Sequence, residues 1–555
     1  MPQSQGERMS DLPSVPNEPA PLLDRAMKWL LAGERETRWV RWALVLAAGF
    51  YFICLAMLET GPINAYANDV LVLLDGGWRL LNGQAPYRDF YLAHGPLEFM
   101  VTAFGMLLAH NSPQGIAIGN AAVGITVGVW GWLLSRLRMP AVPALIVAAW
   151  LILTATSPTP LGSAWNVVSC AMSYNRHGYA FQGIVLVECA FASERSRFWG
   201  GVSSGVALIL LAFLKLSFFG AAFLLLLATA PLRREEMGRA WGILAGVSCT
   251  VAAFSLYLRS AIPAFLSDML FATQARGASL TVHGILGDIA GSAELVTLAI
   301  MTILAALLVS RGKVWQWHGV RLMLVGCIVI ATADLLRRTD TNESGFQLAA
   351  LWTVVILGYL TAAYPRAKEK TAIAAVIALS LGGIAAQFFA NAESVKTLLG
   401  YSSPSNRSMG ASIAGEGMGR LKFYDLDDAS APSSIDSNRF YAACVNDGLA
   451  LLARSSTPEE SVLTLGFHSP FSYILRRKPA AGGSPILIFG YTISRTHLLA
   501  ANRVFGNADL IMVPHYPSSH QTSDTDLEEA YHSYLSQHFS FVASTQWWSL
   551  YRRNR

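Results

Sequence analysis

Two acidic residues stand in the first polar stretch after the first long apolar run: Asp69 in YANDVLVLLDGGWRLLNGQ and Asp89 in PYRDF. Asn68, Arg88 and His94 lie around them. A carboxylate so placed can take the proton of an attacking hydroxyl, and nearby cations can neutralise an anionic leaving group. Similar groups recur farther along. The segment SYNRHGYAFQ carries Asn175, Arg176 and His177 within one turn. Lys215 is a lone charge in LILLAFLKLSFFGAAFLLLL. A charge at membrane depth costs roughly 2.5–3.5 kcal/mol on insertion scales and by default marks function. Arg276 in DMLFATQARGAS and Arg337 with Arg338 in LRRTDTNES complete a ring of candidate phosphate contacts. Asp69 and Asp89 are the catalytic candidates, with Asp75 third; the other residues named are candidate substrate contacts. Each has a plainer reading: Asp75 as a water-facing helix residue, Arg176 as a headgroup anchor, Lys215 as a turn lysine reaching for water, the arginines as solvated loop charges.

The elements that position these groups follow from composition. Of 555 residues, 53% are hydrophobic and 14% charged, and the mean hydropathy is +0.40. A soluble domain carries about 25% charge, so most of this chain belongs in lipid. The net charge of +5 comes from basic residues at the ends of apolar runs, a topology signal rather than a nucleic-acid face. Apolar runs at 41–60, 113–135, 141–157, 179–193, 199–214, 216–231, 241–258, 293–310, 319–335, 346–364 and 371–390 predict about eleven helices. The six cysteines (Cys54, Cys170, Cys189, Cys249, Cys327, Cys444) have no CxxC spacing and read as small core residues. His177 has no partner at ligand spacing, so no metal site is assigned.

Residues 1–40 form a polar, Pro-rich tail, and 41–390 the polytopic membrane part. Arg35, Arg38 and Arg41 put the N-terminus inside. If 96–110 dips into the membrane without crossing, every later basic cluster also falls inside. The segments 61–112, 158–178, the turn at Lys215, 259–292, 336–345 and everything after 390 then face outside. Within 61–112 the spacing of Val70, Leu73, Leu74, Trp78 and Leu81 predicts an interfacial helix with its polar face in water. Residues 391–555 are polar and Ser-rich, with strand-sized bursts SVLTLGF, PILIFG and DLIMVP, helical stretches at 437–454, 493–505 and 525–537, and a closing hairpin about Thr545-Gln546. This is a small α/β domain outside the membrane.

A first membrane helix, an acidic residue, G-x-x-PYRDF-x-x-x-GPL, many helices and an outer C-terminal domain together resemble the membrane-embedded C-type glycosyltransferases. The likeness is to the bacterial branch related to protein mannosyltransferases and lipid A aminoarabinose transferases. It implies a multi-pass helical fold in the bacterial inner membrane, with a cytoplasmic N-terminus and a periplasmic C-terminal domain. It implies a polyprenyl-phosphate sugar as donor and an envelope glycan, lipid or protein as acceptor. That family's first outer loop carries the catalytic acid, often as Asp-Glu, and here Asn68-Asp69 stands in its place, which points to Asp69 as the base. The family's second outer loop maps to Asn175, Arg176 and His177. The cofactor stays open: a divalent metal has no support in ligand spacing. Three other functions remain in view: a ligase or polymerase using lipid-diphosphate-linked glycans, a transporter, and a non-catalytic binder of envelope lipids.

Overall fold

The computed structural model describes residues 62–161, 163–190, 197–230, 237–258, 261–276, 292–309, 317–339, 351–356, 391–401, 409–425, 437–518 and 520–554, with a few single positions besides. The predicted first helix, 41–60, and the last, 371–390, lie outside the described residues apart from isolated positions. The strand β1 (Pro62–Ile63) leads into α1 (Ala67–Leu81) and α2 (Leu97–Leu108). The bundle follows: α3 (Gly115–Arg136), α4 (Ala141–Thr156), α5 (Ser173–Ala190), α6 (Arg197–Ala212), α7 (Leu216–Ala228), α8 (Met237–Leu258), α9 (Ile262–Arg276), α10 (Ala293–Val309) and α11 (Trp317–Thr339).

The bundle turns the usual burial pattern around. Ile125, Val129 and Leu133 on α3 and Leu244 and Leu256 on α8 are exposed, while Glu188 and Arg239 are buried among helices. Water opposes such a surface and lipid favours it. At 22 residues each, α3 and α8 are about 33 Å long, enough to cross a ~30 Å hydrocarbon core. The other helices are shorter or carry more charge.

Helices without a hydrophobic driving force between them need close backbone approach, which small residues allow. Gly201 and Gly205 of α6 face Gly242 and Gly246 of α8, and a Cβ on any of the four would sit 2.0–2.3 Å from a backbone oxygen of the other helix. Gly205→Leu should therefore lower the thermal unfolding midpoint of the protein in detergent well below that of Leu256→Ala, a change on the exposed side of α8. Equal midpoints would show that the close approach carries no stability.

Two ends of the bundle can be told apart. At one, Arg239 pairs with Glu188 at 2.8 Å, Ser204 donates to the same carboxylate, and Arg321 donates to the Cys189 carbonyl. Arg138 reaches the same place. The other end carries the C-terminal domain. From Ser173 to Ala190, α5 runs between the two. Both ends of α2 lie on the C-terminal-domain side. Its start is held by Leu97 N donating to the Phe213 carbonyl, beside the turn at Lys215. Just beyond its end, the Asn111 carbonyl accepts from Tyr473 and Arg476 of that domain. So α2, about 18 Å long by its 12 residues, enters the bundle and does not cross.

The C-terminal domain contains β2 (Lys422–Phe423), α12 (Asn438–Ser455), β3 (Val462–Thr464), α13 (Ala501–Phe505), β4 (Leu510–Pro514), α14 (Gln521–His538), β5 (Phe539–Ser544) and β6 (Trp548–Arg553). Its sheet has the order β3-β4-β6-β5, parallel between β3 and β4 and antiparallel elsewhere. The hairpin about Thr545-Gln546 is present. PILIFG forms no strand and instead holds an irregular turn through the Phe489–Ile493 bridge. The helix predicted over 493–505 shortens to α13.

The first loop folds onto this domain. Pro62-Ile63 pairs in parallel with Lys422-Phe423. One apolar cluster joins Val70 and Leu74 of α1, Phe213, Phe254 and Phe265 of the bundle, and Phe471 and Trp548 of the domain. This corrects the picture of α1 as an interfacial helix with a wet polar face. Asp75 and Arg79 are fully buried and paired at 2.8 Å. Arg79 also donates to the carbonyls of Ala480 (3.2 Å) and Gly482 (3.0 Å), and Trp78 donates to that of Arg477. The periodicity marks the apolar face correctly, but the opposite face is covered by a polar partner rather than by water.

Candidate functional site

Where α1, α2 and α5 begin, the bundle meets the C-terminal domain around a cavity of about 380 Å³. Four segments wall it. The first is the start of α1, with Asn68, Asp69, Val72 and Leu73. The second is His94 and Phe99 at the entry to α2, and the third Cys170 to Tyr174 before and within the first turn of α5. The fourth comes from the C-terminal domain, with Phe467, Ile486, Ile488, Tyr491 and His520.

Local backbone geometry opens the polar floor of this cavity. Tyr66 and Met172, the residues before α1 and α5, both lie in the left-handed region, at φ 54° and 51°. That conformation costs a non-glycine residue of order 1–3 kcal/mol and persists only where surroundings enforce it. Here Asn438 of the C-terminal domain accepts from Ala67 N at 3.1 Å. Asn64 binds the Val168 backbone in both directions, at 3.0 and 2.6 Å. These contacts lock the first and second loops together beside the cavity.

Asp69 sits in the first turn of α1, half-buried, where helix N–H groups favour a negative charge. Its carboxylate has no hydrogen-bonded or ion-paired partner among the described residues. Burial pushes it up to about 7, the range suited to a general base at neutral pH. His94 lies between Phe99 and Tyr174, each ring centroid 5.4 Å away. Burial, with an opposing pull from Glu98 and a further push from Lys215, lowers it to about 4, so it is a neutral imidazole. Burial raises the Cys170 thiol to about 11, which keeps it protonated; it lines the cavity rather than packing in a core.

A second layer lies behind this floor. Glu98, fully buried, accepts from Ser173 at 2.5 Å and meets His177 Nδ1 at 2.8 Å. Lys215 Nζ donates to Asn175 Oδ1 at 3.4 Å and sits 5.4 Å from the centre of the Tyr174 ring. Asn175 Nδ2 and His177 Nε2 are buried and have no partner among the described residues. This layer therefore holds a cation beside Tyr174 and two buried polar atoms without a partner among the described residues.

The candidates from sequence separate accordingly. Asn68, Asp69 and His94 line the cavity; Asn175, His177 and Lys215 lie one layer behind it. Arg176 is corrected to a structural role: its guanidinium is buried and donates to the carbonyls of Ser157 (2.8 Å), Ser169 (3.3 Å) and Ala171 (3.2 Å), pinning the second loop. Arg88 and Asp89 are corrected as well. They pair with each other at 2.7 Å outside the cavity, and the Arg88 hydrogen bond holds the Asp89 carboxyl below its usual range. Arg276 ends α9, and Arg337 and Arg338 lie in the last turn of α11; their side chains lie outside the described residues. Two contributors were missed. Glu98 stands out as a lone acid in the apolar run PLEFMV, but no pattern there assigns it to the site. His520 carries no local signal, because only the tertiary fold brings it to the cavity. Among the described residues no group of three His, Cys, Asp or Glu side chains could hold a metal ion, and Asn68 occupies the position beside Asp69, so the donor set does not fit a metal.

No family model matches the chain, and no curated protein matches it. Among solved structures, the crystal structure of ArnT from Cupriavidus metallidurans in the apo state aligns with a TM-score of 0.46 and 14% sequence identity, over 93% of this chain and 98% of that one.

Proposed function

We propose that the chain is a glycosyltransferase of the bacterial inner membrane that moves a sugar from a polyprenyl-phosphate donor to a cell-envelope acceptor. The observation that carries this reading is Asp69: a half-buried carboxylate, unpaired among the described residues and pushed up to about 7, in a cavity at the end of the membrane bundle. Placing the basic end of the bundle in the cytoplasm puts the cavity and the C-terminal domain on the periplasmic side.

The acceptor oxygen attacks the anomeric carbon as the bond from that carbon to the phosphate oxygen breaks. Asp69 takes the acceptor proton, and the phosphate leaves with the bonding pair. A single displacement of this kind inverts the anomeric centre. Lys215, behind Tyr174, supplies positive charge for the departing phosphate, and Asn175 and His177 offer further polar atoms beside it. Glu98 positions His177 and Ser173 through its hydrogen bonds.

The sign of the pH dependence follows from Asp69. Only the unprotonated carboxylate accepts a proton, so kcat/KM should rise with pH and level off above about 7. Measuring transfer from a lipid-phosphate sugar by the purified protein in nanodiscs checks this. A rate that stays flat from about pH 5.5 to about pH 8.5 would remove Asp69 as the base.

A further inference from the structure

The cavity around Asp69 has no cation among its described lining residues. Among the described residues that line it there is no Lys or Arg. Burial holds both of its histidines, His94 and His520, below their ordinary values. Lys215 is not part of the lining; its Nζ lies 5.4 Å from the centre of the Tyr174 ring. The wall contributed by the C-terminal domain is mostly apolar, with Phe467, Ile486 and Ile488 and two groups able to hydrogen-bond, Tyr491 and His520. His520 is held flat against Phe467, with centroids 4.0 Å apart and planes 4° apart. Asp524 fixes that stack by accepting from Phe467 N at 2.8 Å while its own backbone N–H donates to the His520 carbonyl at 2.9 Å.

Resting on the reading of Asp69 as base, we propose that this cavity is the acceptor chamber and takes an uncharged hydroxyl on an amphiphilic molecule, turning phosphate-bearing acceptors away. A phosphate here would meet the Asp69 carboxylate with no Lys or Arg in the described lining to pair with, and like charges repel. A neutral sugar or alcohol meets no such barrier. Its polar edge lies toward Asn68, Asp69 and Ser173, and its apolar part against Ile486 and Ile488. The leaving phosphate of the donor belongs beyond Tyr174, on the Lys215 side, so the two substrates occupy compartments of opposite electrostatic character.

Cys170 lies in the chamber and reports its occupancy without reference to turnover. The full chain in nanodiscs is treated with a small maleimide at mildly alkaline pH, and modification of the Cys170 peptide is followed by mass spectrometry. Octyl glucoside below its micellar concentration should slow the reaction tenfold or more. Octyl glucoside 6-phosphate should need roughly a hundredfold higher concentration for the same protection. Ile486→Lys, which puts a cation in the wall, should lower the protective concentration of the phosphate tenfold or more. Equal protection by the two compounds in the native chain overturns the proposal, and so does failure of both to protect. If Asp69→Asn has meanwhile lost transfer, only the acceptor assignment falls; if Asp69→Asn transfers normally, the reading of the reaction falls with it.

Discussion

Asp69→Asn is expected to lose sugar transfer by 10²- to 10⁴-fold, the range a positioned general base supplies, and at the same time to become more stable at pH 8. The two effects have one origin. In the unfolded chain Asp69 ionises near its ordinary value of 3.8, whereas in the folded protein burial holds it at about 7. A group whose folded value is raised in this way favours the folded state below the lower value. It costs stability increasingly as pH rises from 3.8 to about 7, and the full cost is present above that. Linkage sets the cost at no more than about 4 kcal/mol, and solvent in the cavity reduces it to roughly 2 kcal/mol. Asparagine carries no charge, so the cost disappears. Thermal unfolding in detergent at pH 8 should show a higher midpoint for the variant, with the gain shrinking toward pH 4. A variant that is inactive and less stable at pH 8 would mark Asp69 as a structural residue rather than a strained functional one.

The second large effect concerns Arg79. Arg79→Met removes the partner of Asp75 and leaves a carboxylate at 0% exposure without its cation. It also frees the Ala480 and Gly482 carbonyls. Breaking a buried pair from one side costs about 3–5 kcal/mol, while replacing both partners with apolar groups is often close to neutral. The double variant Asp75→Leu/Arg79→Met should therefore recover most of the stability that Arg79→Met loses. Because Arg79 joins α1 to the C-terminal domain, the single variant should also expose the 476–484 segment to protease. Additive losses in the double variant would show that the pair is not coupled.

Local patterns made much of the architecture legible. The spacing of Val70, Leu73, Leu74 and Trp78 gives α1, the apolar runs give α3 to α8, α10 and α11, and the alternation in FSFVAST and WWSLYRR gives the β5–β6 hairpin; α9 falls in 259–292, where no apolar run announces a helix. The shortness of 96–110 foretells that α2 does not cross, as its two same-side anchors show. Contacts between distant parts of the chain were not legible. The polar residues of 80–99 suggest a reaction centre when only their neighbours are considered. Arg88 and Asp89 pair with each other and His94 lines the cavity, but the other contacts reach far: Arg503 bridges Asp268 and the Tyr87 carbonyl, Gln84 reaches the Pro479 carbonyl, and Tyr91 is held by Gly483 and Thr492. Dense polarity in an otherwise greasy chain there signals a docking surface. The cavity, one step upstream, draws His520, Tyr491 and Ile488 from the far end of the sequence. Short-range periodicity carries no trace of that association.

The pairing of Pro62-Ile63 with Lys422-Phe423 also dictates when the working protein can exist. During synthesis the segment bearing Asp69 leaves the ribosome early, yet its supporting strand, the acceptor for Ala67 N and one wall of its chamber arrive only after the membrane bundle has been threaded. Until then Asp75 and Arg79 have one another but no cover, and Tyr66 has little to hold it in its left-handed conformation. Assembly is therefore closed from its last-made part backward, and an unfinished chain in the bilayer holds Asp69 without the chamber around it.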